Sequence, residues 1–486
     1  MKNIIENIGY QTLLQVLNTC LPLITSPYLS RVLKAEGLGV FSYTQSVVNY
    51  FVLIAMLGVI SYGTREIAIC RNNKKERSET FWNIYALQLF MSLISLIIYI
   101  VYIVFFLKEN IGIAWFQIFY IIASIFDITW LFFGLEDFKR TVKISTLIRL
   151  VSVGFILIFV KSIDDLWIYT FIMSGGVFFG NILLWVFLFK VIDVKEIKNI
   201  KIKKMIKHIK PNLVLFIPLL GMSVYHIMDK TMLGILSSYR QIGYYYNADK
   251  VINIPIGIIT GIGTVMLPHI TSVINSGNKK EADQIFKLSI EMIIALSVAI
   301  GFGISAISFK FVPLFFGEGF DNCISLIIAL SPVLLIKGLS HTFRMQYLIP
   351  NFKEKIFIES VFIGAIINLL VNIILIPKLA AMGAVLGTIA AEIATCLWQF
   401  IYIFKEIEFV SVIKRFFVYN FFGIIMFVTI YFIGSFVSSN ITAIVVEIIV
   451  GIIIYGGFCT GYWLLTENPI IIFILNSKRK NKEIEK

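Results

Sequence analysis

The chain predicts an all-α integral membrane fold: 14 transmembrane helices, arranged as two parallel-repeat six-helix lobes with a C-terminal helix pair. Three observations predict it. Of 486 residues, 58% are hydrophobic and 15% charged, with a mean hydropathy of +0.88. Lysine and arginine alternate in density from loop to loop. A displacement of 204 residues brings related segments into register.

A helix needs roughly 20 mostly apolar residues to cross a hydrocarbon layer of about 30 Å. Such runs occur at 8–30, 39–62, 80–107, 113–134, 146–160, 168–189, 211–236, 242–267, 286–309, 322–345, 356–376, 380–404, 416–437 and 441–466. Their unbroken apolar character fits helices, since barrel strands would alternate over about ten residues. The start, MKNIIENIGYQTLLQ, is too polar for a signal peptide, so the first span is expected to be retained.

With the N-terminus inside, 31 of the 42 Lys and Arg fall in inner loops and termini. The outer loops hold Arg31, Lys34, Lys108, Lys161, Arg240, Lys310 and Lys378. Positive charge stays inside, so both termini are expected in the cytoplasm of a multi-pass cell-membrane protein. The same rule accounts for the net charge of +13 without nucleic acid.

The longest loop, Val191 to Lys210, is lysine-rich and reads either as an amphipathic linker on the anionic inner leaflet or as the strongest topogenic loop. The 204-residue offset lays Gly37–Tyr50 on Gln241–Ile254, matching Gly39 with Gly243, Val47 with Val251 and Asn49 with Asn253. It later matches Gly134 with Gly338 and Arg140 with Arg344. An offset of six helices makes the halves parallel. The expected organisation is therefore an N-terminal lobe at 1–190, a basic linker at 191–210, a C-terminal lobe at 211–405, spans 13 and 14 within 406–470, and a basic tail at 471–486.

Charge inside a span is costly, about 2.5–3.5 kcal/mol at a helix centre, so it usually faces a bundle interior or a wet cavity. Asp229-Lys230 and Asp249-Lys250 stand out on this ground. Adjacent side chains diverge around a helix, so the pairs are expected to bond across helices, Asp229 with Lys250 or Asp249 with Lys230. Gln11, Gln15 and Asn18 share one face of span 1. Gln45 and Asn49 share one of span 2, His226 and Lys230 one of span 7, and Asp249 and Asn253 one of span 8. Either these groups line a hydrated cavity between the lobes or they bond helix to helix. Arg149 and Lys337 are further cations within spans. Asp127, Asp229 and Glu392 are candidates for ion coupling, because a carboxylate in a low dielectric exchanges protons near neutral pH. Asp127 is alternatively expected to pair with Arg149.

No GxSxG, HExxH, Walker or dinucleotide motif occurs in a suitable context, and no loop is long enough for a catalytic domain, so an enzyme is not expected. Cys20, Cys70, Cys323, Cys396 and Cys459 are scattered, and neither a metal nor a cofactor is expected.

The segment PYLSRVLKAEGLGVFSYTQSVVNYFVLIAMLGVISYGTREIA resembles the polysaccharide flippases of the multidrug/oligosaccharidyl-lipid/polysaccharide exporter superfamily. So do DITWLFFGLEDF (Asp127–Phe138), MDKTMLG (Met228–Gly234), INIPIGIITGIGTVMLP (Ile252–Pro268) and the run NLLVNIILIPKLAAMGAVLGTIAAE ending at Glu392. The resemblance implies a two-lobe bundle that moves a polyprenyl-diphosphate-linked oligosaccharide from the inner to the outer leaflet for capsule, O-antigen or similar glycan assembly. Membrane lipid, H+ or Na+ and other polysaccharide-assembly proteins would be its partners. Lys230, Lys250, Arg149 and Lys337 would then face the diphosphate, and Gln15, Asn18, Gln45 and Asn49 the sugar hydroxyls. Some related lipid-precursor flippases concentrate arginines on span 1. Here Gln11, Gln15 and Asn18 stand there, which moves the expected headgroup contact to the C-terminal lobe. The alternatives are a cation-coupled small-molecule exporter of the same superfamily and a membrane-embedded glycan polymerase or acyltransferase.

Overall fold

The computed structural model describes residues 2–405, 410–436, 441–466 and 468. For some of these, among them residues 2–16, 18–20 and 224–226, the helix alone is described. Among the described residues the chain is helical, without strands. The helices are α1 (Lys2–Met56), α2 (Val59–Cys70), α3 (Lys74–Phe105), α4 (Ile111–Ile125), α5 (Thr129–Gly134), α6 (Phe138–Phe159), α7 (Leu166–Val191), α8 (Ile202–Lys207), α9 (Ile209–Leu236), α10 (Tyr239–Asn275), α11 (Lys279–Phe316), α12 (Asn322–Leu330), α13 (Pro332–Phe343), α14 (Glu354–Leu379), α15 (Ala381–Phe404), α16 (Val410–Phe436) and α17 (Ile441–Leu465).

Twelve helical stretches among the described residues are long and apolar enough to cross a membrane, which makes this a multi-pass membrane protein. The first, Leu21–Cys70, runs from within the first expected span through the whole of the second. The loop expected at 31–38 is a break at one residue, Lys34 (φ 55, ψ −178). Helix α9, where a seventh span is expected, is not among the twelve.

Two compact units divide the chain, residues 1–243 and 244–486. In the first, α1 packs on α3, α4, α6 and α9, and α4 packs on α7. Its core at the α2–α3–α5 junction gathers Tyr62, Phe81, Trp82, Trp130 and Phe132. Polar side chains there bond between helices. Gln88, fully buried on α3, donates to the carbonyls of Ser124 (2.6 Å) and Asp127 (2.8 Å) and accepts from the Trp130 indole (3.0 Å). Gln117 on α4 donates to the Thr44 hydroxyl of α1 at 3.0 Å. Where lipid offers no hydrogen bonds, such contacts hold helices in place.

In the second unit α14 and α15 pack along their length, and α11 carries α13, α16 and α17. The core between α11, α16 and α17 includes Phe286, Ile294, Tyr419, Met426 and Tyr455.

Two features occur at matching places 204 residues apart. The fourth expected span breaks after Ile125 and resumes at Thr129. The tenth breaks at Ser331, where Pro332 opens α13 without needing an N–H partner. Residue 331 is the counterpart of Asp127. The second feature is a reciprocal helix crossing within the first unit. A Cβ on Gly39 would lie 1.7 Å from the Tyr239 carbonyl oxygen, and one on Gly243 would lie 1.8 Å from the Ala35 carbonyl oxygen. Each glycine is met by the carbonyl four residues before the other, so only glycine lets these backbones meet.

Candidate functional site

In the first unit the second half of α1 meets α9 along a polar seam. The Ser46 and Thr231 hydroxyls are 3.0 Å apart, and Tyr50 lies within reach of Thr231 and the Asp229 carboxylate. Asp229 is 2% exposed and Lys230 is half-buried. A ring edge of Tyr43 fills the space a Cβ on Gly234 would need, at 2.1 Å, which brings α9 close enough for these contacts. The structure thus draws the sequence-predicted Asp229 and Lys230 toward the α1 turn that carries Gln45 and Asn49. Gln45, half-buried, donates to the Tyr120 hydroxyl of α4 at 3.2 Å through its Nε2. Asn49 is half-buried. The side chains of Gln15, Asn18 and His226 lie outside the described residues.

Asp127 and Arg149 are not joined, a correction to that expected pairing. One Asp127 carboxylate oxygen accepts from the Thr129 backbone N–H (2.9 Å) and hydroxyl (2.6 Å), so the side chain caps α5 where the fourth span breaks. Arg149 is exposed on α6. A broken helix leaves free N–H groups, and the nearest carboxylate satisfies them.

In the second unit Asn253 donates to the Asp249 carboxylate at 2.7 Å, closing the i, i+4 face expected on span 8. The Lys250 ammonium sits 4.3 Å from the Tyr246 ring centroid. It is half-buried, and the ring face stabilises its charge. Lys337 and Glu392, expected separately as headgroup cation and coupling carboxylate, form one ion pair at 3.4 Å across α13 and α15. Pairing removes much of the charge either would offer a substrate.

Within the first unit the seam on α1 and α9 presents the Ser46 and Thr231 hydroxyls near the Asp229 carboxylate, and within the second the Asp249–Asn253 face presents a bonded carboxylate and amide. Among the described residues no three His, Cys, Asp or Glu side chains gather as metal ligands.

Residues 4–274 match the sequence profile of the family described as "Polysaccharide biosynthesis protein". The chain belongs to that family. Among relatives of this polysaccharide biosynthesis protein is the "Putative O-antigen transporter" of Escherichia coli (strain K12), 23% identical over 80% of this chain and 93% of that one. "Lipid II flippase MurJ" of Bacillus subtilis (strain 168) is 30% identical over 36% of this chain and 31% of its own length. In three dimensions the fold is similar to that of a solved structure titled Lipid II flippase MurJ, inward closed conformation, with a TM-score of 0.71 and 16% identity over 94% of this chain and 99% of that one. An inward-facing multidrug resistance MATE family transporter of the MOP superfamily shares the fold more loosely, with a TM-score of 0.58 and 14% identity over 79% of this chain and 97% of that one.

Two charged clusters of this family member carry no sequence-based expectation. Glu291 of α11, 1% exposed, accepts from Arg415 and Tyr419 of α16 and from Asn468, and Trp463 of α17 donates to the Tyr419 hydroxyl at 2.7 Å. Lys310 of α11 and Glu447 of α17 pair at 2.7 Å. Both join the last two helices to α11. A lone acid within each apolar run, Glu291 and Glu447, was the available signal.

Proposed function

We propose that this protein carries polyprenyl-diphosphate-linked oligosaccharide repeat units from the inner to the outer leaflet by alternating access, for the synthesis of a cell-surface polysaccharide. The observation that carries the reading is the conjunction of family and fold. The sequence belongs to a polysaccharide biosynthesis family, and the backbone follows a lipid II flippase almost end to end.

In this reading the 14 spans group as lobes at 1–190 and 211–405 with a final pair at 406–470, and both termini lie in the cytoplasm. Lys230 of the first unit and Lys250 of the second each offer an ammonium to the diphosphate. They are half-buried, close enough to water to release an anion and shielded enough to attract one. Gln45, Asn49 and Asn253 meet sugar hydroxyls, and the lipid tail stays in the bilayer. Asp229 is the preferred coupling group, with H+ or Na+ as the ion, because Asp127 caps a helix and Glu392 faces Lys337.

The test is purified protein in vesicles carrying a fluorescent polyprenyl-diphosphate sugar in one leaflet. Movement between leaflets is expected to fall roughly tenfold, about 1.4 kcal/mol, in each of Lys230→Ala and Lys250→Ala. Vesicles that export cationic dyes and leave the lipid-linked sugar in place would overturn the reading.

A further inference from the structure

The lysine-rich segment between α7 and α9 carries no group assigned to transport, yet its backbone is fixed to the first unit. Arg77 of α3 donates to the Val191 carbonyl at 2.6 Å, the Trp82 indole of α3 donates to the Asp193 carbonyl at 3.0 Å, and the Asp193 N–H donates to the Ser78 hydroxyl at 2.9 Å. Further on, Lys204 of α8 pairs with Glu79 of α3. A segment held at both ends presents a fixed outer surface.

That surface combines charge with apolar bulk. Ile202 and Ile206 stand four apart on α8 and so share one face, and both are exposed. Lys203 and Lys207, also exposed and four apart, form the adjoining row about 100° around the helix. The opposite side, where Lys204 reaches Glu79 and Met205 is half-buried, is the one turned to α3. Upstream, Val194, Ile197 and Ile200 are exposed as well, interleaved with Lys195, Lys198 and Lys201. Among the described residues Lys204 alone of these lysines pairs with a carboxylate.

We infer that residues 194–207 form a docking surface for anionic phospholipid, with Ile202 and Ile206 entering the headgroup region and Lys203 and Lys207 meeting the phosphates. Lysine stems lie along apolar surface while their ammonium groups stay at the polar boundary, so isoleucine and lysine rows side by side fit a lipid surface. A nucleic acid would satisfy the lysines and leave the isoleucines in water. The alternation of loop charge assigns this segment to the inner side, where anionic headgroups attract basic segments. The docking holds or fails whatever molecule is transported.

Lysine acetylation of the full-length protein in nanodiscs, read residue by residue by mass spectrometry, tests the inference. An ammonium held at a phosphate is withheld from the reagent. Lys203 and Lys207 are expected to react about threefold more slowly in discs containing phosphatidylglycerol than in discs of phosphatidylcholine alone. In the double variant Ile202→Ser/Ile206→Ser that slowing is expected to fall by more than half. Both side chains are exposed, so the change leaves the core intact. Equal rates in the two kinds of disc overturn the inference, and slowing only when an RNA is added would assign the lysines to nucleic acid instead. Slowing of which the double variant keeps half or more also overturns it, because charge near a membrane then suffices without docking.

Discussion

Lys337 and Glu392 lie 55 positions apart on the chain and 3.4 Å apart in the fold. Hydropathy showed that each was costly in its span, yet nothing in the linear order said that they answer each other. Their side chains are 14% and 4% exposed, so removing one takes the opposite charge away from the other in a low dielectric. Lys337→Met is expected to cost about 3–5 kcal/mol, and the double variant Lys337→Met/Glu392→Gln to recover most of it. Thermal melting in detergent reads both. A double variant no better than the single one would show that the pair does not act as a unit. Asp127 teaches the complementary lesson. A carboxylate in an apolar run read as a functional charge, and in the fold it also accepts two hydrogen bonds from Thr129, the first residue of α5.

At the scale of elements, the basic linker was legible as a surface segment, and its anchoring was not. The Tyr62 hydroxyl of α2 and His208 Nδ1 are 2.6 Å apart, which ties the end of α8 to the first unit's core. Ile202 and Ile206 of α8 remain 72% and 53% exposed among lysines. Burial holds the His208 imidazole below its ordinary pKa, with Lys207 adding to the effect and Glu66 opposing it. A group whose folded pKa is depressed binds fewer protons folded than unfolded between the two values. Its contribution is therefore complete above the unfolded pKa of about 6.5 and lost as pH falls through the lower folded value. Hydrogen-exchange protection across 201–208, taken relative to the intrinsic rate at each pH, is expected to be high at pH 7.5 and to fall on acidification. His208→Phe is expected to abolish that dependence. An unchanged pH response in that variant would place the titrating group elsewhere.

For the whole molecule, the alternation of positive charge predicts that both termini are cytoplasmic. An impermeant maleimide is expected to label Lys480→Cys only after cells are permeabilised. Labelling of intact cells would invert the topology and with it the direction assigned to transport. The class of fold was readable without coordinates because hydrocarbon imposes a one-dimensional rule: any span must be long, apolar and internally hydrogen-bonded, and each of these properties is local in sequence. The matched glycines Gly39 and Gly243 were readable, and the fold brings them to one close backbone crossing, which leaves glycine as its trace. Which polar groups meet was decided by tertiary structure alone. The Glu291 hub, the Lys310–Glu447 pair and the Ser46–Thr231 contact all depend on helix rotation and crossing. Those are set by side-chain packing among helices distant in the chain, and uniformly apolar runs carry almost no record of which face turns inward.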